Sequence, residues 1–317
     1  NPEVYTGWNY RKRCLLALLP QAEDDADKQT LLQADLTLIE KALRKNPKSY
    51  GAWHHRKWLV AQGAGKLKHE LGLCAKLLDM DERNFHCWSY RRFVVQKLGV
   101  EVPDELEFTF HKIGQNFSNY SAWHYRTKLL PQLHAPYMTD GKKQEPHESA
   151  AAPGQTAGGF VVQPAMYTYR LDHRAQEQVG EKLIPAVDID KEFQCVQQAF
   201  FTEPSDQSGW FYHRWLISCV RQGGDLAALV DLIGRELEVV EELLDMETDS
   251  KWAILTMARL YEAQYALQFK LGGLAKDTLS EIANLQEYYK RLIQLDPSRK
   301  GYYEWAKTRV EQQTSTI

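Results

Sequence analysis

The chain has 317 residues, 44% of them hydrophobic and 26% charged, with a formal net charge of −3. That length can bury a substantial core in one large or two ordinary domains, and the charge gives no global reason to expect a nucleic-acid binder. No run of about 18 apolar residues appears, so no membrane span is expected.

Five cysteines, Cys14, Cys74, Cys87, Cys195 and Cys219, lie far apart without a CxxC pair. They read as small core residues in a reducing compartment rather than a disulfide or zinc framework. "NFS" and "NYS" at Asn116 and Asn119 match the glycosylation sequon, but fall inside a repeated motif and read as chance.

The chain repeats itself, and in chain order the copies are "NPEVYTGWNYRKR", "NPKSYGAWHHRKW", "DERNFHCWSYRRF", "NFSNYSAWHYRTK" and "EPSDQSGWFYHRW". Their anchors are Trp8, Trp53, Trp88, Trp123 and Trp210, with weaker copies at Trp252 and Tyr303. Because the sequence opens inside a copy, a natural N-terminus further upstream is expected. Six residues before the anchor stand Pro2, Pro47, Glu82, Phe117 and Pro204. Three before it stand Tyr5, Tyr50, Phe85, Tyr120 and Gln207, and three after it Arg11, Arg56, Arg91 and Arg126, with Arg214 one place later in the fifth copy.

Between the anchors the periodicity is helical: Leu67, Leu71, Cys74 and Leu78; Leu106, Phe110 and Ile113; Ile189, Phe193, Val196 and Phe200. Two helices and two short turns per copy cannot bury their own apolar faces, so neighbours must stack. The expected fold is all-α, an α-solenoid of helical hairpins in a single domain over residues 1–317. An irregular Gly/Ala/Pro/Gln-rich loop is expected at about 137–166. The repeat is not tetratricopeptide, because Arg follows Trp where Leu-Gly is required.

Each motif position has a local reason. Asn or an acid before proline signals a turn or N-cap, with Pro suited to the first helical turn. Trp fills the gap between layers and its indole N–H needs a partner. Arg three residues on shares its face and can reach a neighbouring carbonyl or acid.

Candidate chemistry is sparse. His54, His55, His86, His124 and His213 cluster at the motif without metal-ligand spacing, and no metal is expected in this chain. "QGAGKL" at 62–67 fails the P-loop pattern and reads as a helix–helix turn. The residue after the proline position does not recur: Glu3, Lys48, Arg83, Ser118, Ser205. Lys48 is thus a singular lysine in a turn before a helix, close to Tyr50, where anions are favoured. Arg83 and His86, one copy later, are expected on the same rim. The plain alternative for Lys48 is a solvated surface side chain.

These copies resemble the repeats of protein prenyltransferase α subunits over nearly the whole chain apart from the 137–166 loop. "NPKSYGAWHHRKWL", "DERNFHCWSYRRFV", "NFSNYSAWHYR" and "DQSGWFYHRWL" are most similar to the Rab (type II) geranylgeranyltransferase branch. The α subunit shared by farnesyltransferase and type I geranylgeranyltransferase is the second choice. The resemblance implies a crescent of hairpins around a β subunit, forming a cytoplasmic heterodimer in which the α chain alone is inactive. It places the zinc on β and geranylgeranyl diphosphate as the substrate. The acceptor would be the C-terminal cysteines of Rab GTPases, presented by a Rab escort protein. It implies that Lys48 and Tyr50 reach the diphosphate, with His86 in the next repeat's turn; Phe85 stands where the other α subunit has a tyrosine. No immunoglobulin-like or leucine-rich-repeat domain is legible. A non-enzymatic helical scaffold is the reading from a different class.

Overall fold

The computed structural model describes residues 2–133, 186–222, 224–271 and 278–314, and the expected 137–166 loop lies outside them. The described residues form α-helices and short turns, with no strand among them. The helices are α1 (Tyr5–Leu18), α2 (Asp25–Lys45), α3 (Tyr50–Ala61), α4 (Leu67–Met80), α5 (Phe85–Leu98), α6 (Val102–Gln115) and α7 (Tyr120–Leu133), then α8 (Ala186–Thr202), α9 (Gln207–Gln222), α10 (Leu226–Met246), α11 (Lys251–Lys270), α12 (Thr278–Leu295) and α13 (Lys300–Thr314). The chain divides into two compact units, Asn1–Arg126 and Thr127–Ile317.

The fold is all-α, an α-solenoid of helical hairpins. In the first unit α2 packs on α3 and α4 on α5, while α3 also touches both α1 and α5. In the second, α8 packs on α9, α10 on α11 and α12 on α13, with α11 against α12. The anchored helices α3, α5, α9 and α11 are therefore each the second of a hairpin, and α3 meets α1 and α5 in the first unit as α9 meets α11 in the second.

The turns explain the motif. Every anchor indole N–H donates to the carbonyl six residues before it: Trp8 to Pro2, Trp53 to Pro47 at 2.7 Å, Trp88 to Glu82, Trp123 to Phe117 and Trp210 to Pro204 at 3.0 Å. The residue at this position thus serves through its main chain, which is why Glu and Phe replace Pro freely. It does not sit in the first helical turn, as expected, but two residues before the cap: α3 is capped by Ser49, not Pro47.

The cap ties one copy to the previous one. Ser49 Oγ accepts from Ala52 N–H and donates to the Pro2 carbonyl at 3.0 Å. Asn84 Oδ1 accepts from Cys87 N–H, and its Nδ2 donates to the Pro47 carbonyl at 3.0 Å. A cap that must both accept and donate selects Ser or Asn over Asp. Gly51 allows the layers this close, since a Cβ there would stand 2.7 Å from the Trp8 ring.

The same bond corrects the sixth copy. Ser250 Oγ donates to the Pro204 carbonyl at 3.5 Å and faces Ala253 N–H, as Ser49 does one unit earlier. Four residues after that cap stands Ile254, so Trp252 lies two positions before the anchor site and packs edge-on against Phe211 instead.

A buried ladder of acids holds the hairpins together. Arg56 bonds Glu70 through Nε and Nη2, both at 2.8 Å, and Tyr90 Oη donates to the same carboxylate at 2.7 Å. Arg91 and Glu105 repeat the arrangement, with Tyr125 against Glu105. Asp35 receives Arg11 at 3.0 Å and lies 2.8 Å from His55 Nε2. In the fifth copy His213 takes the arginine's place, 2.8 Å from Glu236, so Arg214 is not its equivalent. Arg126 donates to the Leu106 carbonyl at 2.7 Å and to Thr109 Oγ1 at 3.1 Å. Thr109 thus lies on the buried face of α6, while Phe110, expected in the stripe, is 52% exposed.

The "QGAGKL" segment is the α3–α4 turn, with Gly63 and Gly65 at φ +93° and +70°, backbone that glycine adopts without strain. Adjacent His54 and His55 do face apart, the first exposed and the second fully buried.

Candidate functional site

Lys48 and Tyr50 flank the Ser49 cap at the start of α3. The Lys48 side chain is 64% exposed, and its main-chain N–H is held by Asn46 Oδ1 at 3.1 Å. Tyr50 lies in the first turn of the helix and is 57% exposed. Its ring meets His86 of the next copy edge-on, with centroids 4.2 Å apart, and Phe85 at 5.7 Å. Stacking of equivalent turns thus brings Lys48, Tyr50, Phe85 and His86 into one patch.

His86 is the unusual member. It is only 8% exposed, and its Nε2 is buried without a hydrogen-bond partner. An orphaned buried polar atom costs about 1–3 kcal/mol, so it is either a tolerated defect or a position completed by something else. Burial pushes the imidazole below its ordinary range. Glu3 and the Lys48 carbonyl pull it back, while the Lys48 ammonium adds to the depression. His86 at neutral pH is therefore an uncharged hydrogen-bonding group, and Lys48 supplies the positive charge of the patch.

Arg83 is exposed on the same row of turns but faces the next one, its guanidinium 3.5 Å from the Ser118 carbonyl. It connects to Lys48 through Asp81. One Asp81 carboxylate oxygen accepts the Arg83 main-chain N–H at 3.3 Å, and the other lies 3.1 Å from Lys48 Nζ. Sequence reasoning missed Asp81. The signal was there: seven residues before successive anchors stand Asn46, Asp81 and Asn116, each placed to bind its own turn.

The patch pairs a mobile cation with a neutral donor or acceptor and an aromatic hydroxyl, at the mouth of a helix N-terminus. That combination suits an anionic oxygen group, and phosphate oxygens above all. It carries no nucleophile–base pair. No group of three or more metal-ligating side chains occurs among the described residues. No described helix is long and apolar enough to cross a membrane.

Comparison with known proteins agrees with the hairpins. The protein prenyltransferase alpha subunit repeat matches residues 32–63, 67–98, 102–133 and 189–220, each match spanning one helix and the anchored helix after it. The chain belongs to the family of protein prenyltransferase α subunits. Within that family, the similar curated proteins carry the name geranylgeranyl transferase type-2 subunit alpha. The Dictyostelium discoideum protein is 32% identical over 98% of this chain and 81% of its own length. The Arabidopsis thaliana subunit alpha 1 is 51% identical over 68% of this chain, and the Homo sapiens protein 39% identical over 79%. The chain spans only 26% and 39% of those two relatives. Among solved structures, Candida albicans protein geranylgeranyltransferase-I complexed with GGPP matches with a TM-score of 0.62 over 98% of this chain and 80% of that one. The identity is 19%, so this likeness speaks for the fold alone.

Proposed function

We propose that the chain is the α subunit of a Rab (type II) geranylgeranyltransferase. It acts with a β subunit to move a geranylgeranyl group from its diphosphate to C-terminal cysteines of Rab GTPases delivered by an escort protein. The type-2 names of relatives across slime mould, plant and animal support the assignment. The observation that carries the site is the orphaned His86 Nε2 beneath the exposed Lys48 and Tyr50.

In the reaction a cysteine thiolate forms a C–S bond to C1 of the lipid while the C1–O bond breaks. The electron pair leaves with diphosphate, so negative charge grows on the bridging oxygen. The Lys48 ammonium opposes that charge, and an interaction that strengthens in the transition state raises the rate rather than the affinity. Tyr50 donates its hydroxyl to a phosphate oxygen, neutral His86 adds one hydrogen bond, and Arg83 extends the positive rim. The zinc expected for this enzyme class has no ligand set among the described residues of this chain, and in this reading it belongs to the β subunit.

Co-expression with a type-2 β subunit tests the assignment. A tight one-to-one complex that prenylates Rab plus escort, and ignores short CaaX peptides, is expected. Preference for CaaX peptides would make it a farnesyl/type I subunit, and a monomer that ignores β would make it a scaffold.

A further inference from the structure

In the first unit, the residue seven before Trp53, Trp88 and Trp123 spans the junction between two successive turns. Asn46 Oδ1 accepts the Lys48 N–H of its own turn, and its Nδ2 donates to Glu3 of the previous turn at 3.1 Å. Asn116 does the same, with Oδ1 accepting Ser118 N–H at 2.8 Å and Nδ2 donating to Glu82. Asp81 stands at the junction between them. Its Oδ1 accepts Arg83 N–H, and its Oδ2 meets the Lys48 ammonium. Where the previous turn offers a carboxylate, the spanning side chain is an amide that donates. Where the previous turn offers an ammonium, it is an acid. The residue type follows the charge it meets, so Asp81 is matched to Lys48.

We propose that Asp81 is a positioning residue for the transfer reaction, holding the Lys48 ammonium at the rim so that it is aimed before the diphosphate arrives. The inference rests on the reading of Lys48 given above. A lysine with four rotatable bonds and a mostly exposed side chain would otherwise spread over many rotamers. Asp81 is itself fixed, because its second oxygen is committed to the Arg83 main chain. The pair is partly exposed, and such pairs are weak and screened by salt. The hold is therefore loose enough for a phosphate oxygen to replace the carboxylate as the closer anion. In this arrangement Asp81 touches neither lipid nor thiol and acts only through Lys48.

The test uses the complete heterodimer with Rab and escort, comparing Asp81→Asn, Lys48→Ala and the double variant. Asparagine keeps the oxygen that Arg83 N–H needs and loses the negative charge. The single-turnover transfer rate of Asp81→Asn is expected to fall about two- to five-fold, with geranylgeranyl diphosphate affinity unchanged. In the Lys48→Ala background the same substitution is expected to change nothing, and Asp81→Glu to recover part of the loss. An unchanged rate in Asp81→Asn would overturn the proposal. So would an equal fall with and without Lys48, which would mark a role in the turn alone. If Lys48→Ala is slow and Asp81→Asn is not, Asp81 fails and the Lys48 assignment stands. If Lys48→Ala itself transfers at the wild-type rate, both fall together.

Discussion

Arg56 grips Glu70 through two hydrogen bonds of 2.8 Å, with both side chains buried between α3 and α4. Tyr90 of the next copy closes on the same carboxylate, so one acid joins two hairpins. Removing either ion leaves the other buried without its counter-charge. Glu70→Ala is expected to lower unfolding free energy by about 3–5 kcal/mol in a denaturant titration. Replacing both partners, as Arg56→Met with Glu70→Leu, should cost clearly less, because no bare charge remains.

The cap at Asn84 makes a sharper stability prediction. Asn and Asp cap helices about equally well, so capping alone predicts no change for Asn84→Asp. Here the amide nitrogen also donates to the Pro47 carbonyl. A carboxylate would set two acceptors face to face, and Asn84→Asp is expected to cost about 1–3 kcal/mol by thermal or urea unfolding. Asp24, which caps α2 by accepting Asp27 N–H, is the control: Asp24→Asn should be near neutral.

How much of this was legible in the sequence depends on whether a residue's partner lies nearby in the chain. The anchor tryptophans, the arginines and the stacked-hairpin fold follow from recurrence at fixed offsets. Lys48 stood out because it did not recur. Four of these acids were also periodic, Asp35, Glu70, Glu105 and Glu192 each standing 20 residues before the His55, Tyr90, Tyr125 or Tyr212 it meets. They escaped notice because they sit on the helix before the motif, and only stacking gives them a role. Aligning by residue type also misled. Trp252 looked like an anchor, but the Ser250 bond to Pro204 puts Ile254 in that place. Arg214 looked like a displaced arginine, while His213 with Glu236 had taken over the role. His86 was legible as a candidate from its place in the turn one copy after Lys48, and again through the family resemblance. Its buried, unpartnered nitrogen is a property of packing that no spacing reveals.

Asp296 is a source of acid sensitivity near the end of the second unit. Burial alone would raise its carboxyl from the ordinary 3.8. Hydrogen bonds from Ser298, Arg299 and Tyr303, at 2.6, 2.6 and 2.9 Å, hold it down at about 2. A depressed folded-state value means the stabilisation is complete above the ordinary pKa and is lost as pH falls from about 4 through about 2. Thermal unfolding between pH 2 and 6 should show Asp296→Asn less stable than wild type above pH 4, with the gap closing towards pH 2.

The central claim is that Lys48 opposes the charge that grows on the departing diphosphate. Single-turnover geranylgeranyl transfer to Rab by the heterodimer carrying Lys48→Ala tests it most directly, read beside lipid diphosphate affinity in the same preparation. The account predicts a fall in the transfer rate of about ten-fold or more, with affinity and assembly with β little changed. A wild-type transfer rate, or a loss confined to lipid binding, would contradict it.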